Sequence, residues 1–328
     1  MTSPLIVSRT PFRLPLGGGS TDMLSYYSKF GGFIFAVTVD LYMDVLIKAT
    51  RSDDLINVHY KMFEGVKKVS RVEHPFAREA LKVVGLSHGV SISFKADAPA
   101  GTGLGSSGAC SVALLKGLSR YVGKEMSRRE AAEHAFAITQ RLGLPDGVQD
   151  PYVCALGGFV ALRIAKNGTV TVERPRLSPQ TVRRLFENSL FYFTGVKRES
   201  TGILRAQNVA NVLTLKHRIR EIGKEIYRAF LKDDLNRFGT LMDEHWEIKK
   251  KMSPRISSTF FDNVYVAAKR AGALGGKIMG AGGGGYFMFY CPTRQEKEAV
   301  RKALMRFKMR EMDLKLDTKG SRTLAFNP

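Results

Sequence analysis

The sequence predicts an α+β fold, in which sheets and helices segregate along the chain instead of alternating as βαβα units. Three observations predict it. Strand-like patterns dominate the first part of the chain, long helical patterns fill the later part, and strand signals return among those helices. No repeat at a solenoid period and no low-complexity tract breaks this order.

The 328 residues are 44% hydrophobic and 25% charged, which excludes wholesale disorder and a collagen-like chain and allows a sizeable core. A turn- and proline-rich stretch around Lys166-Asn167-Gly168, Pro175 and Pro179 suggests a division into residues 1–175 and 176–328. In chain order, strand-like runs cover residues 5–8, 33–48, 56–60, 90–95, 159–164, 170–173, 190–193 and 286–290. The clearest is 33–48. Phe33, Phe35, Val37, Val39, Leu41, Met43, Val45 and Ile47 share one face, and Thr38, Asp40, Asp44 and Lys48 fall on the other. Helical periodicity covers residues 106–122, 127–142, 214–231, 235–251 and 260–271.

Lys plus Arg number 51 against 30 Asp plus Glu, a net charge of +21 that speaks to partners and not to fold. It suits nucleic acid, a membrane surface or small phosphorylated substrates. No RNP-like aromatic motif or zinc finger accompanies it, so no nucleic-acid partner is expected. No run approaches the roughly 18 apolar residues of a membrane span, and no membrane partner is expected. The basic stretches at 216–224, 249–251 and 294–310 read as solvated helix faces. Cys110, Cys154 and Cys291 have no CxxC spacing, and Met1-Thr2-Ser3-Pro4 is no secretory n-region, so a reducing cytoplasm is the expected location. The six histidines form no HxxxH pair, and His245 beside Trp246 reads as a packing residue.

Three glycine-rich segments carry the chemistry. Pro99-Ala100-Gly101-Thr102-Gly103-Leu104-Gly105-Ser106-Ser107-Gly108 leaves a strand and enters a helix. Such a turn can bring backbone N–H groups and a helix N-terminus to an anion, with the Ser106 and Ser107 hydroxyls available to phosphate or Mg²⁺. It can equally be a helix-capping loop. Gly103, Gly105 and Gly108 also satisfy GxGxxG, but the preceding strand alternates polar and apolar residues, which argues against a dinucleotide fold; Walker A is absent. The second segment, residues 275–285, holds Gly282, Gly283, Gly284 and Gly285 in a row ahead of a strand. Either backbone passes close to something there, or the glycines form a bulge or tight hairpin. The third, Arg13-Leu14-Pro15-Leu16-Gly17-Gly18-Gly19-Ser20-Thr21-Asp22, sets an arginine, a glycine turn and a carboxylate where phosphate and sugar hydroxyls could meet.

Together, and in this order, the three segments resemble those of the GHMP kinase superfamily, and the resemblance covers nearly the whole chain. Residues 99–107 are similar to its Pro-x-x-x-Gly-Leu-Gly-Ser-Ser phosphate-binding motif, and residues 276–285 to its C-terminal glycine motif. Arg13, Gly17 to Gly19, Thr21-Asp22, Gln149-Asp150, Gly157-Gly158-Phe159, Tyr192-Phe193-Thr194-Gly195 and His245-Trp246 further resemble the sugar-1-kinases typified by heptose 7-phosphate kinases. The resemblance implies an N-terminal half like ribosomal S5 domain 2, a ferredoxin-like C-terminal half, and ATP-dependent phosphorylation of an anomeric hydroxyl, with a heptose 7-phosphate giving the 1,7-bisphosphate. The implied partners are a sugar or sugar phosphate and ATP, in a monomer or homodimer, with Mg²⁺ as the metal.

By that resemblance Asp150 is the catalytic carboxylate and Arg13 the cation beside the transferring phosphoryl group. Pro99, Gly101, Gly103, Leu104, Gly105, Ser106 and Ser107 bind nucleotide, and Ser107 also assists Mg²⁺. Gly18, Gly19, Ser20, Thr21, Asp22, Gly282 and Gly283 bind the acceptor. The chemistry agrees: a sugar hydroxyl is a poor nucleophile and needs a carboxylate to orient and deprotonate it, while phosphoryl transfer relies on positioning and on cations. Two departures stand out. The glutamate that many relatives carry about three turns before the catalytic aspartate is missing from Ile138-Thr139-Gln140-Arg141, and the lysine two residues before it is Val148. Lys29, Lys197 and Arg198 are candidates for a distal phosphate. The resemblance leaves open another acceptor (fucose, galactose, an inositol) or a nucleotide and sugar sensor without turnover.

Overall fold

A computed structural model describes residues 4–198, 200–206 and 212–326. Met1, Thr2 and Ser3, which bear on the leader expectation, lie outside the described residues.

Eight strands among the described residues form the first sheet. They are β1 (Leu5–Gly17), β2 (Gly32–Ala49), β3 (Ile56–His59), β4 (Phe63–Val66), β5 (Val90–Ala96), β6 (Phe159–Ile164), β7 (Val170–Glu173) and the late β12 (Arg322–Phe326). A second sheet has the order β11-β8-β10-β9, from β8 (Ser189–Phe193), β9 (Gly275–Ile278), β10 (Tyr286–Tyr290) and β11 (Arg310–Met312). The helices are α1 (Leu24–Phe30), α2 (Pro75–Val84), α3 (Ser106–Tyr121), α4 (Arg128–Arg141), α5 (Gln149–Leu156), α6 (Pro179–Glu187), α7 (Ser200–Ala206), α8 (Leu213–Leu231), α9 (Leu235–Lys250), α10 (Thr259–Arg270) and α11 (Arg294–Leu304).

β2 organises the first sheet. Its residues 35–47 pair with β1, its first half with β6, and its second half with β5. The alternation read at 33–48 therefore holds, but Ile34 and Ala36 are buried too, because helices cover both faces there. β1 corrects the sequence expectation most. The sequence pattern predicts this strand only over residues 5–8. It runs on to Gly17, and its register shifts fall between Pro11 and Phe12 and between Pro15 and Gly17. A proline costs a strand little at an irregularity, where no ladder N–H is required. The strand therefore carries Arg13 into the interior.

α3 is the central helix. Glycine, alanine and serine on several sides (Gly108, Ala109, Ser111, Ala113, Gly117) let β1, β2, α2, α4 and α5 pack closely on it. α8 lies against β1 and β2, where its Ile222, Ile226 and Phe230 are buried. In the second sheet Phe287 and Phe289 stack at 4.6 Å between ring centroids, and the fully buried Trp246 of α9 meets Phe287 edge-on at 5.9 Å. Removing that indole would cost about 3–5 kcal/mol. No described helix is long and apolar enough to cross a membrane.

Candidate active site

Gly105 takes a left-handed conformation (φ 78°) and starts α3. The first helical hydrogen bond runs from Ala109 N to Gly105 O, so the amides of Ser106, Ser107 and Gly108 precede the helical ladder. Those N–H groups and the helix dipole give the loop a positive end. The loop borders a cleft of about 1160 Å³, more than one ligand of ordinary size needs.

Arg13, only 4% exposed at its side chain, reaches this loop from β1. Its Nη1 donates to Gly103 O at 2.6 Å, while Nε and Nη2 both donate to Asp150 Oδ1, at 2.8 and 2.6 Å. Asp150 sits in the first turn of α5, with Pro151 following it. A proline is tolerated there because the first turn needs no N–H donor, so Asp150 is the helix-start alternative to a plain turn residue. α5 comes this near only because residue 108 is glycine: a Cβ there would lie 2.6 Å from the Asp150 carbonyl carbon.

Two more aspartates stand near. Asp22 is buried and accepts from Gln149 N at 3.0 Å and from Gln149 Nε2 at 3.4 Å. Burial, and then the Asp150 charge, push its pKa up to about 6 against the stabilising Gln149 contact. Asp146, on the loop between α4 and α5, accepts from Ser107 Oγ at 2.9 Å, and burial followed by Asp150 raises it to about 6 as well.

The same cleft has a basic floor, of which the sequence suggests only Arg198 as a phosphate candidate. Arg198, His245, Lys249 and Lys277 all line it. Lys249 and Lys277 are buried, with Nζ atoms on the carbonyls of Gly280 and Leu16. Burial, then Arg198 and Arg13, brings Lys249 down to about 7, and burial, Lys249 and Arg13 lower Lys277 well below its ordinary value. Arg198 is lowered to about 10, first by burial and then by Arg13, and its Nε has no partner. His245 was expected to be packing. It is buried, yet it faces the cleft with neither ring nitrogen partnered, held well below 6.5 by burial and by the two lysines.

At the other end the lining turns apolar: Met43, Tyr60, Met62, Phe76 and Phe94, with His74 stacked on Phe94 at 4.7 Å. These residues come from β2, β5, the β3–β4 turn and the start of α2, so no local motif marked them.

Of the residues expected at the site, Arg13, Gly19, Ser20, Asp22, Pro99, Gly101, Gly103, Gly105, Ser106, Ser107 and Asp150 line the one cleft. Gly18, Thr21, Leu104, Gly282 and Gly283 do not, and each has another task. Leu104 is fully buried and its carbonyl accepts from Arg13 N. Thr21 Oγ1 bonds Gly18 O and Phe33 O. A Cβ on Gly18 would strike Phe33 O; on Gly282 it would strike Ile256, and on Gly283 Ile203. The four-glycine run is the β9–β10 connection, and what it passes so closely is the protein's own backbone. A Cβ on Gly285 would lie 2.0 Å from Thr102 O, so the two glycine segments are wedged together. Lys277, Gly280 and Ala281 are the members of the 275–285 segment that reach the cleft. Lys29 and Lys197 are exposed and outside it.

A glycine loop on a helix N-terminus, an Arg–Asp pair against it, and room for two ligands define a phosphotransferase. The comparisons agree. Residues 67–158 match the GHMP kinases N terminal domain and residues 226–311 the GHMP kinases C terminal domain. The chain is 26% identical to D-glycero-alpha-D-manno-heptose 7-phosphate kinase of Campylobacter jejuni, across 90% of this chain and 93% of that protein. It superposes with a TM-score of 0.82 at 25% identity on a D-glycero-D-manno-heptose 1-phosphate kinase from Bacteroides thetaiotaomicron, covering 98% of this chain and 100% of that one. Lactococcus lactis galactokinase shares the fold, with a TM-score of 0.78 at 18% identity, over 98% of this chain and 95% of that one. The chain belongs to the GHMP kinases and is an ATP-dependent phosphotransferase of the sugar-kinase type, with an alcohol group as acceptor.

Proposed function

We propose that this kinase phosphorylates the anomeric hydroxyl of a heptose 7-phosphate, giving the 1,7-bisphosphate. The observation that carries this is the Arg13–Asp150 pair, set against the N-terminus of α3 in a cleft whose floor is basic. The α3 amides would hold the nucleotide phosphates, and the apolar end near His74 and Phe94 would take the base. Asp150 would orient the acceptor hydroxyl and take its proton through Oδ2, because both Arg13 bonds fall on Oδ1. Arg13 would lie beside the transferring group and offset the charge growing on its oxygens. Asp22, near Asp150 and buried, would receive sugar hydroxyls.

The acceptor's own phosphate is favoured by Arg198 and Lys249, basic side chains that line the same cleft as the glycine loop. A hydroxyl and a carboxylate oxygen are hard donors that fit Mg²⁺, and Ser107 would contribute the hydroxyl. Among the described residues no three His, Cys, Asp or Glu side chains form a ready-made metal cage, in keeping with an ion that leans on substrate phosphates. Three free, buried cysteines suit a reducing cytoplasm.

The test is ATP with a panel of heptose 7-phosphate, free heptose, fucose, galactose and inositol, the product mapped by phosphorus NMR. An anomeric phosphate formed best from the phosphorylated heptose is the expected outcome. A primary phosphate ester, or preference for an unphosphorylated sugar, would reassign the acceptor. Nucleotide uptake without ADP release would make the chain a sensor.

A further inference from the structure

We propose that Asp146 is the carboxylate that, with Ser107, holds the divalent cation accompanying the nucleotide; the proposal rests on the kinase function above. By the resemblance, the glutamate of many relatives would fall within Ile138-Thr139-Gln140-Arg141, where Thr139 is the buried residue of α4 nearest three turns before Asp150. Its Oγ1 is spent on Phe136 O. The α4 carboxylate Glu133 lies further back and pairs with Arg129. A different element fills the gap. The loop after α4 brings Asp146 to the cleft wall and sets its Oδ2 2.9 Å from Ser107 Oγ.

That separation is informative. Two neighbouring ligands on an octahedral Mg²⁺ with bonds of about 2.1 Å lie about 3.0 Å apart. The two oxygens therefore already stand at the spacing of adjacent ligands, and Ser107 needs only to turn its proton away. The loop is held firmly. Gln140 Nε2 donates to Asp146 O at 3.3 Å, and a Cβ on the next residue, Gly147, would lie 2.0 Å from Asp22 Oδ2.

Of the other two aspartates near the loop, Asp22 accepts from Gln149, and Asp150 holds Arg13 through Oδ1 and leaves Oδ2 to the acceptor. Among the described residues no Lys, Arg or His ion-pairs with Asp146, whose hydrogen-bond partner at the cleft is the Ser107 hydroxyl. A carboxylate beside a bound polyphosphate is repulsive unless a cation stands between them. Asp146 should thus oppose metal-free nucleotide and favour the metal complex.

The experiment is calorimetric titration of ADP with and without Mg²⁺, paired with electron paramagnetic resonance of Mn²⁺ in the ADP complex. It would use wild type, Asp146→Asn, Asp146→Glu and Ser107→Ala, with each fold checked by thermal melting. Wild type should bind ADP more tightly with Mg²⁺. Asp146→Asn should weaken Mn²⁺ by about 10- to 100-fold, lose the Mg²⁺ enhancement, and bind metal-free ADP at least as well as wild type. Asp146→Glu should keep Mn²⁺ with an altered spectrum, and Ser107→Ala should lose part of the affinity. Wild-type Mn²⁺ affinity and Mg²⁺ enhancement in folded Asp146→Asn would overturn the assignment and leave the kinase function standing. Failure of the wild-type protein to take up ADP would overturn both.

Discussion

Arg13 and Asp150 meet through two hydrogen bonds that converge on one oxygen, Oδ1, at 2.8 and 2.6 Å. The third arm of the guanidinium is fixed on Gly103 O. One planar group therefore ties the carboxylate to the glycine loop. Lysine cannot reproduce that fork. Arg13→Lys should lower kcat about 10²- to 10³-fold, the usual loss on removing one charge-stabilising donor, with a smaller change in ADP affinity. Steady-state kinetics with calorimetry of ADP binding would check the split.

Gly108→Ala sets two effects against each other. Alanine in a helix gains up to about 1 kcal/mol over glycine. The new Cβ would sit 2.6 Å from the Asp150 backbone, and overpacking of that kind costs about 1–3 kcal/mol. Steric conflict should win. The variant should melt lower than wild type and turn over more slowly as α5 shifts, as thermal melting and kinetics would show.

Arg198→Ala should discriminate between acceptors. If its guanidinium meets the acceptor's phosphate, the KM for the phosphorylated sugar should rise about 10- to 100-fold, from the ~1.5–3 kcal/mol of a charged hydrogen bond. The unphosphorylated sugar should be little affected. Equal losses on both would assign Arg198 to the nucleotide side.

Lys249 gives a pH signature. Its pKa falls from an ordinary 10.5 to about 7 in the folded protein. Between those values the unfolded chain binds the extra proton, so this group makes stability rise with pH from about 7 to 10.5; below 7 the full penalty of the buried charge applies. Relative to Lys249→Met, wild-type melting temperature should therefore climb across that window. Anion binding favours the charged lysine, so ADP or sugar phosphate binding at pH 8 should take up protons, measurable by calorimetry in buffers of different ionisation enthalpy.

Much of the fold was legible because its signals are local. The alternation at 33–48 and the helix after the Ser106-Ser107 loop depend on neighbours in sequence. What escaped depends on partners far away. β1 beyond residue 8 hid behind Pro11 and Pro15, whose missing N–H groups cost nothing at register shifts that only pairing with β2 creates. Lys249 looked like the two lysines after it. It is buried while Lys251 is exposed, a difference set by the second sheet beneath α9. Asp146 lies in Leu144-Pro145-Asp146-Gly147, which reads as an ordinary turn, and only the packing of α5 on α3 delivers it to Ser107. The resemblance located the loop, Arg13 and Asp150, but motif membership alone could not separate cleft residues such as Gly103 from packing residues such as Leu104 and Gly283.

The central claim is that Asp150 acts on the acceptor while the loop holds the nucleotide. Comparing Asp150→Asn with wild type for ADP affinity and for ATP-dependent phosphorylation of heptose 7-phosphate tests it most directly. Unchanged ADP affinity with turnover reduced about 10²- to 10⁴-fold is the predicted result. Wild-type turnover in the folded variant would contradict it.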